Sequence, residues 1–456
     1  MSDASAAIQE PAPDGVNTAG ARLFEIPRVS AVTALALAVA DMIGTGVFTS
    51  LGFQVRDIPS GFALLMLWVV GGVVAMCGAL SYSELAAAFP RSGGEYNFLS
   101  RTFHPAIGFL AGWISATVGF AAPVALAAMA FGQYFAGVVP GSPPLVLGLG
   151  VTILVSLVHL SGTHRGSILQ NISTFMKLGL IAVLIIAGLV WGQPQNISFV
   201  PSAADFGYIT GTPFAIGLVF VLYAYSGWNA ATYIAGEIHE PHKSLPRSII
   251  ASLVIVTGLY VLLNAVFLYT TPIDELKGQI DVGLIAGRHI FGEAGGRVVA
   301  AFICIGLVSS ISAMMWIGPR VTMVMGEDIP LLRVFARKTG NGVPAVALLS
   351  QLAVVAALLL MQNFEAVLDF IQFALTFSSF LTVLGVIVLR FRQPDLPRPY
   401  KAWGYPATPF IFLAVTLFVL THLATVRPLQ SLASFCTMLA GFLLYAISVR
   451  HGRKAP

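Results

Sequence analysis

Twelve long apolar runs follow one another along the chain, at about 29–51, 61–88, 105–137, 144–160, 168–192, 209–235, 246–270, 296–325, 344–361, 364–390, 407–426 and 430–449. At ~1.5 Å of rise per residue, runs of this length fit a hydrocarbon core of about 30 Å. The pattern predicts an all-α integral membrane protein with 12 transmembrane helices and no water-soluble domain. Two runs are interrupted at mid-depth. In the first, Asp41-Met42-Ile43-Gly44-Thr45-Gly46-Val47-Phe48 sets two glycines beside a carboxylate. Glycine disfavours helix, and an intramembrane Asp is costly unless it faces protein or water. Broken backbone at this depth persists only where it lines a cavity, so the N–H groups of Thr45, Gly46 and Val47 suit a small carboxylate. The plainer reading is a helix–helix contact that uses glycine for close approach.

The second interruption, Tyr223-Ala224-Tyr225-Ser226-Gly227-Trp228-Asn229, comes five runs later. Paired interruptions in corresponding halves point to inverted repeats with a binding site where the halves meet. Residues 29–192 then form one repeat and 209–390 the other, with two further helices over 407–449. The connection 91–104 predicts a short interfacial helix, and 282–291 is apolar enough to lie on the protein as a partial lid.

Composition narrows the class. The chain is 57% hydrophobic and 10% charged, and its net charge of +4 is scattered between apolar runs, unlike a nucleic-acid surface. If the N-terminus is cytoplasmic, 18 of the 24 lysines and arginines lie inside and only Arg56, Lys277, Arg288, Arg297 and Arg427 outside, with Lys177 left in the membrane. That bias puts both termini in the cytoplasm, with 1–28 a polar disordered tail and 450–456 a short one, in a plasma (inner) membrane protein. Cys77, Cys304 and Cys436 are isolated and imply neither a disulfide framework nor a metal site. No cofactor or nucleic acid is expected.

Two charges inside the runs call for explanation. Lys177 lies mid-span, where an ammonium must snorkel or bond inside the protein. Asp41 has four readings: a counter-charge for Lys177, a proton acceptor, a ligand for a cationic substrate, or a cap on the disrupted helix. Glu84 and Glu237 are expected to pair with Arg91, Lys243 or Arg247 at an inner gate, and Phe373 or Phe377 to reach the site.

The chain resembles the amino acid–polyamine–organocation transporters, and within them the L-type amino-acid exchangers and their bacterial relatives. The resemblance rests on Gly44-Thr45-Gly46-Val47-Phe48, Tyr82-Ser83-Glu84-Leu85, Phe89-Pro90-Arg91-Ser92-Gly93-Gly94-Glu95-Tyr96, Gln170-Asn171 leading to Lys177, Ala224 through Asn229, Glu237 to Pro246, and Leu389-Arg390 through Pro406. It implies a LeuT-like five-plus-five inverted repeat with helices 1 and 6 broken. Met42, Ile43, Gly44, Thr45, Gly46, Tyr223, Ala224 and Ser226 then form the substrate site. Thr45 and Gly46 hold the α-carboxylate, and the carbonyls of Met42, Tyr223, Ala224 and Ser226 receive the α-ammonium. Tyr223 and Trp228 become gates, and Lys177 bridges spans 1 and 5 where sodium-coupled relatives place a cation. Asp41 is not the usual residue of that branch, nor is the Tyr223 hydroxyl.

The implied activity is sodium-independent alternating-access exchange of neutral L-amino acids. Proton-coupled symport is the alternative, and a polyamine or cationic amino acid on Asp41 stands behind it. A channel needs a periodic polar stripe, and an enzyme needs a nucleophile with its base or a metal cluster; the runs supply neither. The external connection 138–144 has no cysteine, so a disulfide-linked heavy chain is not expected.

Overall fold

A computed structural model describes residues 30–91, 93–161, 163–233, 235 and 238–452, with 163–174, 451 and 452 described as backbone only. The expected tail 1–28, most of 450–456, Ser92, Glu237 and the side chains of Gln170 and Asn171 lie outside this description.

The regular structure of the described residues is helical, with no strand. The first run is α1 (Ala31–Met42) and α2 (Gly46–Gln54), followed by α3 (Gly61–Ala88) and the short α4 (Glu95–Thr102). The third run is α5 (Pro105–Ile114), a π turn over Ser115–Gly119, and α6 (Ala121–Val138). Then come α7 (Pro144–Leu160), α8 (Thr163–Trp191), α9 (Ala203–Ile209), α10 (Thr212–Tyr225) and α11 (Ala230–Tyr233). The chain continues through α12 (Pro241–Thr270), α13 (Ile273–Leu276), α14 (Val282–Asp328), α15 (Ala345–Leu360), α16 (Phe364–Arg392), α17 (Ala407–Val426) and α18 (Pro428–Gly452).

Among the described residues, eight helices, counting α1–α2 and α5–α6 as single spans, are long and apolar enough to cross a membrane; the pair α9–α10, bent by 63°, makes a ninth candidate. The element starts follow from caps. Ser30, Ser60 and Asn363 side chains accept the N–H groups of Thr33, Ala63 and Ala366, donors that a helix N-terminus leaves without partners. The expected lid is part of α14, which runs 47 residues from Val282 and is broken only at Gly292, where φ is 76°. Its buried residues Val282 and Leu284 seat it on the protein, and Gly283 N–H donates to Tyr134 Oη at 3.0 Å.

Outward faces remain apolar, as with Val183, Ile186, Leu189 and Val190 on α8, and Leu154 and Leu157 on α7. Such surface is stable only against lipid, so the chain is an integral membrane protein. Inside, serine and threonine hydroxyls return to the preceding turn, as Ser81 does to Cys77 and Thr152 to Gly148. The broken helices α1–α2 and α10–α11 lie at the centre, with buried residues along most of their lengths.

Candidate functional site

The two interruptions face each other. A Cβ on Gly46 would stand 2.5 Å from both Cα and Cβ of Ala224, so the first residue of α2 touches the backbone of α10 only because it has no side chain. The Thr45 and Tyr223 hydroxyls hydrogen-bond across the same contact at 2.9 Å. No hydrogen bond among the described residues takes the N–H groups of Thr45, Gly46 or Val47, which leaves three donors at the start of a nine-residue helix. Those donors and the helix dipole together make a site for an anion.

The opposing carbonyls are arranged differently from expectation. Tyr260, on α12, donates its hydroxyl towards Met42 O at 2.5 Å and Ala224 O at 3.0 Å, tying the two interruptions together. Met42 O also accepts Gly44 N–H, and Tyr223 O accepts both the N–H and the hydroxyl of Ser226. These oxygens therefore already have donors, and Tyr260 lies against both interruptions. Nothing at Tyr260 in the sequence distinguishes it from a packing aromatic.

Lys177 is 2% exposed, and its ammonium donates to Ala40 O at 2.9 Å, Ile43 O at 2.7 Å and Ser310 Oγ at 3.0 Å. It does not snorkel; it fastens α8 and α14 to the end of α1. An ammonium has three N–H donors, so all are engaged and none bonds to Asp41. Asp41 therefore faces Lys177 as a charge acting through space, without a direct ion pair. The Asp41 carboxylate caps nothing either: its Oδ1 is buried and has no hydrogen-bond partner.

Around Met42, Gly44, Thr45, Gly46, Tyr223, Ala224 and Ser226 there is a small cavity, and Asp41 and Ser226 also line a larger one on the α11 side. Its wall includes Ser115 and Gly119 of the π turn, a distortion that often marks functional sites and that no sequence pattern here announced. Trp228 lines it too, with its ring edge-to-face on Tyr82 at 4.7 Å. From α16 the cavity receives Gln372, Leu375, Thr376 and Ser379; Phe373 and Phe377 pack against the hydrophobic core instead. Residues 372, 376 and 379 share one helical face, and the phenylalanines fall on another.

The far end of α2 is sealed. Phe53 stacks between Phe220 and Phe364, with centroids 5.0 and 5.7 Å away, and Arg56 pairs with Glu365 at 3.1 Å. Gly278 N–H also donates to Gly52 O at 2.7 Å, which brings the connection after α12 onto α2.

At the other end the expected partners change. Glu84, 1% exposed, is held by Arg390 at 2.6 and 2.9 Å and by Ala402 N–H at 2.8 Å, with Arg398 at 3.4 Å. Arg91 instead pairs with Asp328 at 2.8 Å, which pushes its guanidinium further towards the protonated form, and Lys243 pairs with Glu240. Glu84 therefore joins α3 to α16 and the segment after it. Glu84→Gln leaves two buried-side arginines short of a charge, so the unfolding temperature in detergent falls, with about 3–5 kcal/mol lost. An unchanged unfolding temperature refutes this role.

The Tyr223–Thr45 bond gives a smaller effect. A neutral hydrogen bond contributes about 1 kcal/mol, so Tyr223→Phe and Thr45→Val each weaken the contact between the two interruptions by about that much, without a further loss in the double variant, as read from the unfolding temperature in detergent. A larger loss in Tyr223→Phe than in Thr45→Val would show that the hydroxyl has a further role.

The family model described as amino acid permease matches residues 29–446. The chain is 27% identical over 435 residues to the b(0,+)-type amino acid transporter 1 of Mus musculus, covering 92% of this chain and 88% of that protein. It is 26% identical over 421 residues to the serine/threonine exchanger SteT of Bacillus subtilis, covering 90% and 94%. It is 27% identical over 440 residues to the cystine/glutamate transporter of Homo sapiens, covering 94% and 86%.

Proposed function

The chain belongs to the amino acid permease family, and we propose that it is a sodium-independent exchanger of neutral L-amino acids working by alternating access. The observation that carries this reading is the meeting of two broken helices at Gly46 and Ala224, with free N–H groups on one and backbone carbonyls on the other. An α-amino acid has the complementary pair of charges. Thr45 and Gly46 bind its carboxylate. Met42, Tyr223, Ala224 and Ser226 receive its ammonium, beside Ile43 and Gly44, while Tyr223 and Trp228 move as gates. Lys177 supplies a fixed positive charge where a sodium ion would otherwise be required. The relatives' names, all of transporters or exchangers, support transport over enzymatic turnover.

The same reading takes the chain as twelve spans. Eight long helices, the bent pair α9–α10, and the shorter apolar segments Pro144–Leu160, Phe175–Trp191 and Ala345–Leu360 are compatible with that number. Residues 29–192 and 209–390 form the inverted repeats, 407–449 the added pair, and the termini lie in the cytoplasm of an inner-membrane protein. No disulfide-linked partner is invoked.

The deciding experiment is uptake of labelled amino acids into proteoliposomes. Exchange requires internal amino acid and proceeds equally in sodium and in choline. Concentrative uptake into empty vesicles, driven by an imposed pH gradient, would overturn exchange in favour of proton symport. A sodium requirement would overturn the proposed role of Lys177.

A further inference from the structure

The larger cavity holds two buried carboxylates and, among the described residues that line it, no lysine, arginine or histidine. The two acids differ. Glu95 accepts hydrogen bonds from the hydroxyls of Tyr82, Ser378 and Ser379, so its oxygens are supplied with donors. Asp41 is 5% exposed and lacks them: Oδ1 has no partner, and Oδ2 lies against Gly227, where an added Cβ would stand 2.6 Å away. Gly227 has φ of 99°, so the second interruption is shaped to lie on this carboxylate. Lys177 cannot supply the missing donor, because all three of its N–H groups are engaged elsewhere.

A second acceptor faces the same space. Gln372 is 3% exposed and donates its amide N–H to Thr376 Oγ1 at 3.1 Å, which leaves Oε1 unpartnered. Unpaired buried acceptors are costly, and two of them lining one cavity specify what should enter it. Asp41, like Ser226, also lines the small cavity between the interruptions, and it is the charged group that the linings of the two spaces share.

Resting on the amino-acid transport reading, we propose that Asp41 and Gln372 form a side-chain subsite for a hydrogen-bond donor. The transported amino acid then carries a hydroxyl or carboxamide on its side chain, or an ammonium, which would replace the neutral substrate class by a cationic one, and shape-matched apolar amino acids are rejected. A donor-lacking side chain leaves the acceptors buried and unpaired, which weakens binding by roughly 10- to 100-fold.

The test is equilibrium binding to the purified full-length protein for two matched pairs, threonine against valine and ornithine against norvaline. The donor-bearing member of at least one pair binds roughly 10- to 100-fold more tightly. Asp41→Ala brings that ratio close to one. Asp41→Asn separates the two sources: it keeps a threonine preference that rests on hydrogen bonding and removes an ornithine preference that rests on charge. Gln372→Leu lowers the same ratio and serves if Asp41→Ala does not fold. Equal affinities within both pairs in the unaltered protein overturn the subsite, as does a preference that survives both Asp41→Ala and Gln372→Leu. Failure of every amino acid to bind the unaltered protein overturns the transport reading itself, and the subsite with it.

Discussion

Gly46→Val abolishes uptake while the protein still inserts in the membrane. The added Cβ stands 2.5 Å from Ala224 Cα and Cβ and 3.1 Å from Ala224 N, and these are atoms fixed by the backbone of α10. Overpacking of this kind costs about 1–3 kcal/mol, and more where backbone must move, so the two interruptions separate instead of the side chain giving way. Separation breaks the Thr45–Tyr223 bond and pulls the N–H donors away from the carbonyls across the site. Affinity is lost together with transport. Gly44 is the control. A Cβ there meets Ser310 Oγ at 3.6 Å, an ordinary contact, so Gly44→Ala leaves the two interruptions together and loses much less affinity than Gly46→Val. The check is uptake per unit of membrane-inserted protein together with substrate affinity after purification. Unaltered affinity in Gly46→Val removes Gly46 from the site.

That contrast marks where sequence reasoning stops. Two glycines one residue apart flagged a break, but their different neighbours lie in α10 and α14, and only the fold separates close approach from spare room. Long apolar runs were legible because every turn of a membrane helix must be apolar or internally paired, so runs 61–88 and 407–426 coincide with α3 and α17. The run 209–235 was legible together with its break at Tyr223–Asn229, which separates α10 from α11, but the 63° bend that sets α9 off from α10 was not, since no residue type compels that angle. Side-chain partners were least legible. Glu84 and Arg390 are 306 residues apart, and Tyr260 reaches Met42 across 218. Pairing Glu84 with the nearer Arg91 used the only distance a sequence offers. Lys177 could be singled out because a buried ammonium must find acceptors, yet which acceptors it finds depends on the break that exposes Ala40 O and Ile43 O.

Lys177→Ala carries the second large effect. Removing the side chain leaves Ala40 O without its donor and Ile43 O with only Ser310 Oγ at 3.4 Å. Each unsatisfied buried acceptor costs about 1–3 kcal/mol, and Asp41 loses the attraction of the Lys177 charge. The stem matters as well, since it packs on Gly306, where a Cβ would stand 2.8 Å from Lys177 Cγ. Lys177→Met restores the stem but not the donors and separates packing from bonding. If the ammonium is a tether, both variants slow exchange by roughly 100-fold or more at every pH, an effect of a few kcal/mol. If it carries a proton through the cycle, the loss is confined to one side of the pH profile, and net uptake in Asp41→Asn flattens in the same way. Engagement of all three N–H groups favours the tether, because releasing a proton would break a bond that holds α1 to α8 and α14. Exchange measured from pH 5 to 9 in proteoliposomes decides between them. A uniform loss supports the tether, and a loss that disappears at one end of that range assigns Lys177 to proton coupling.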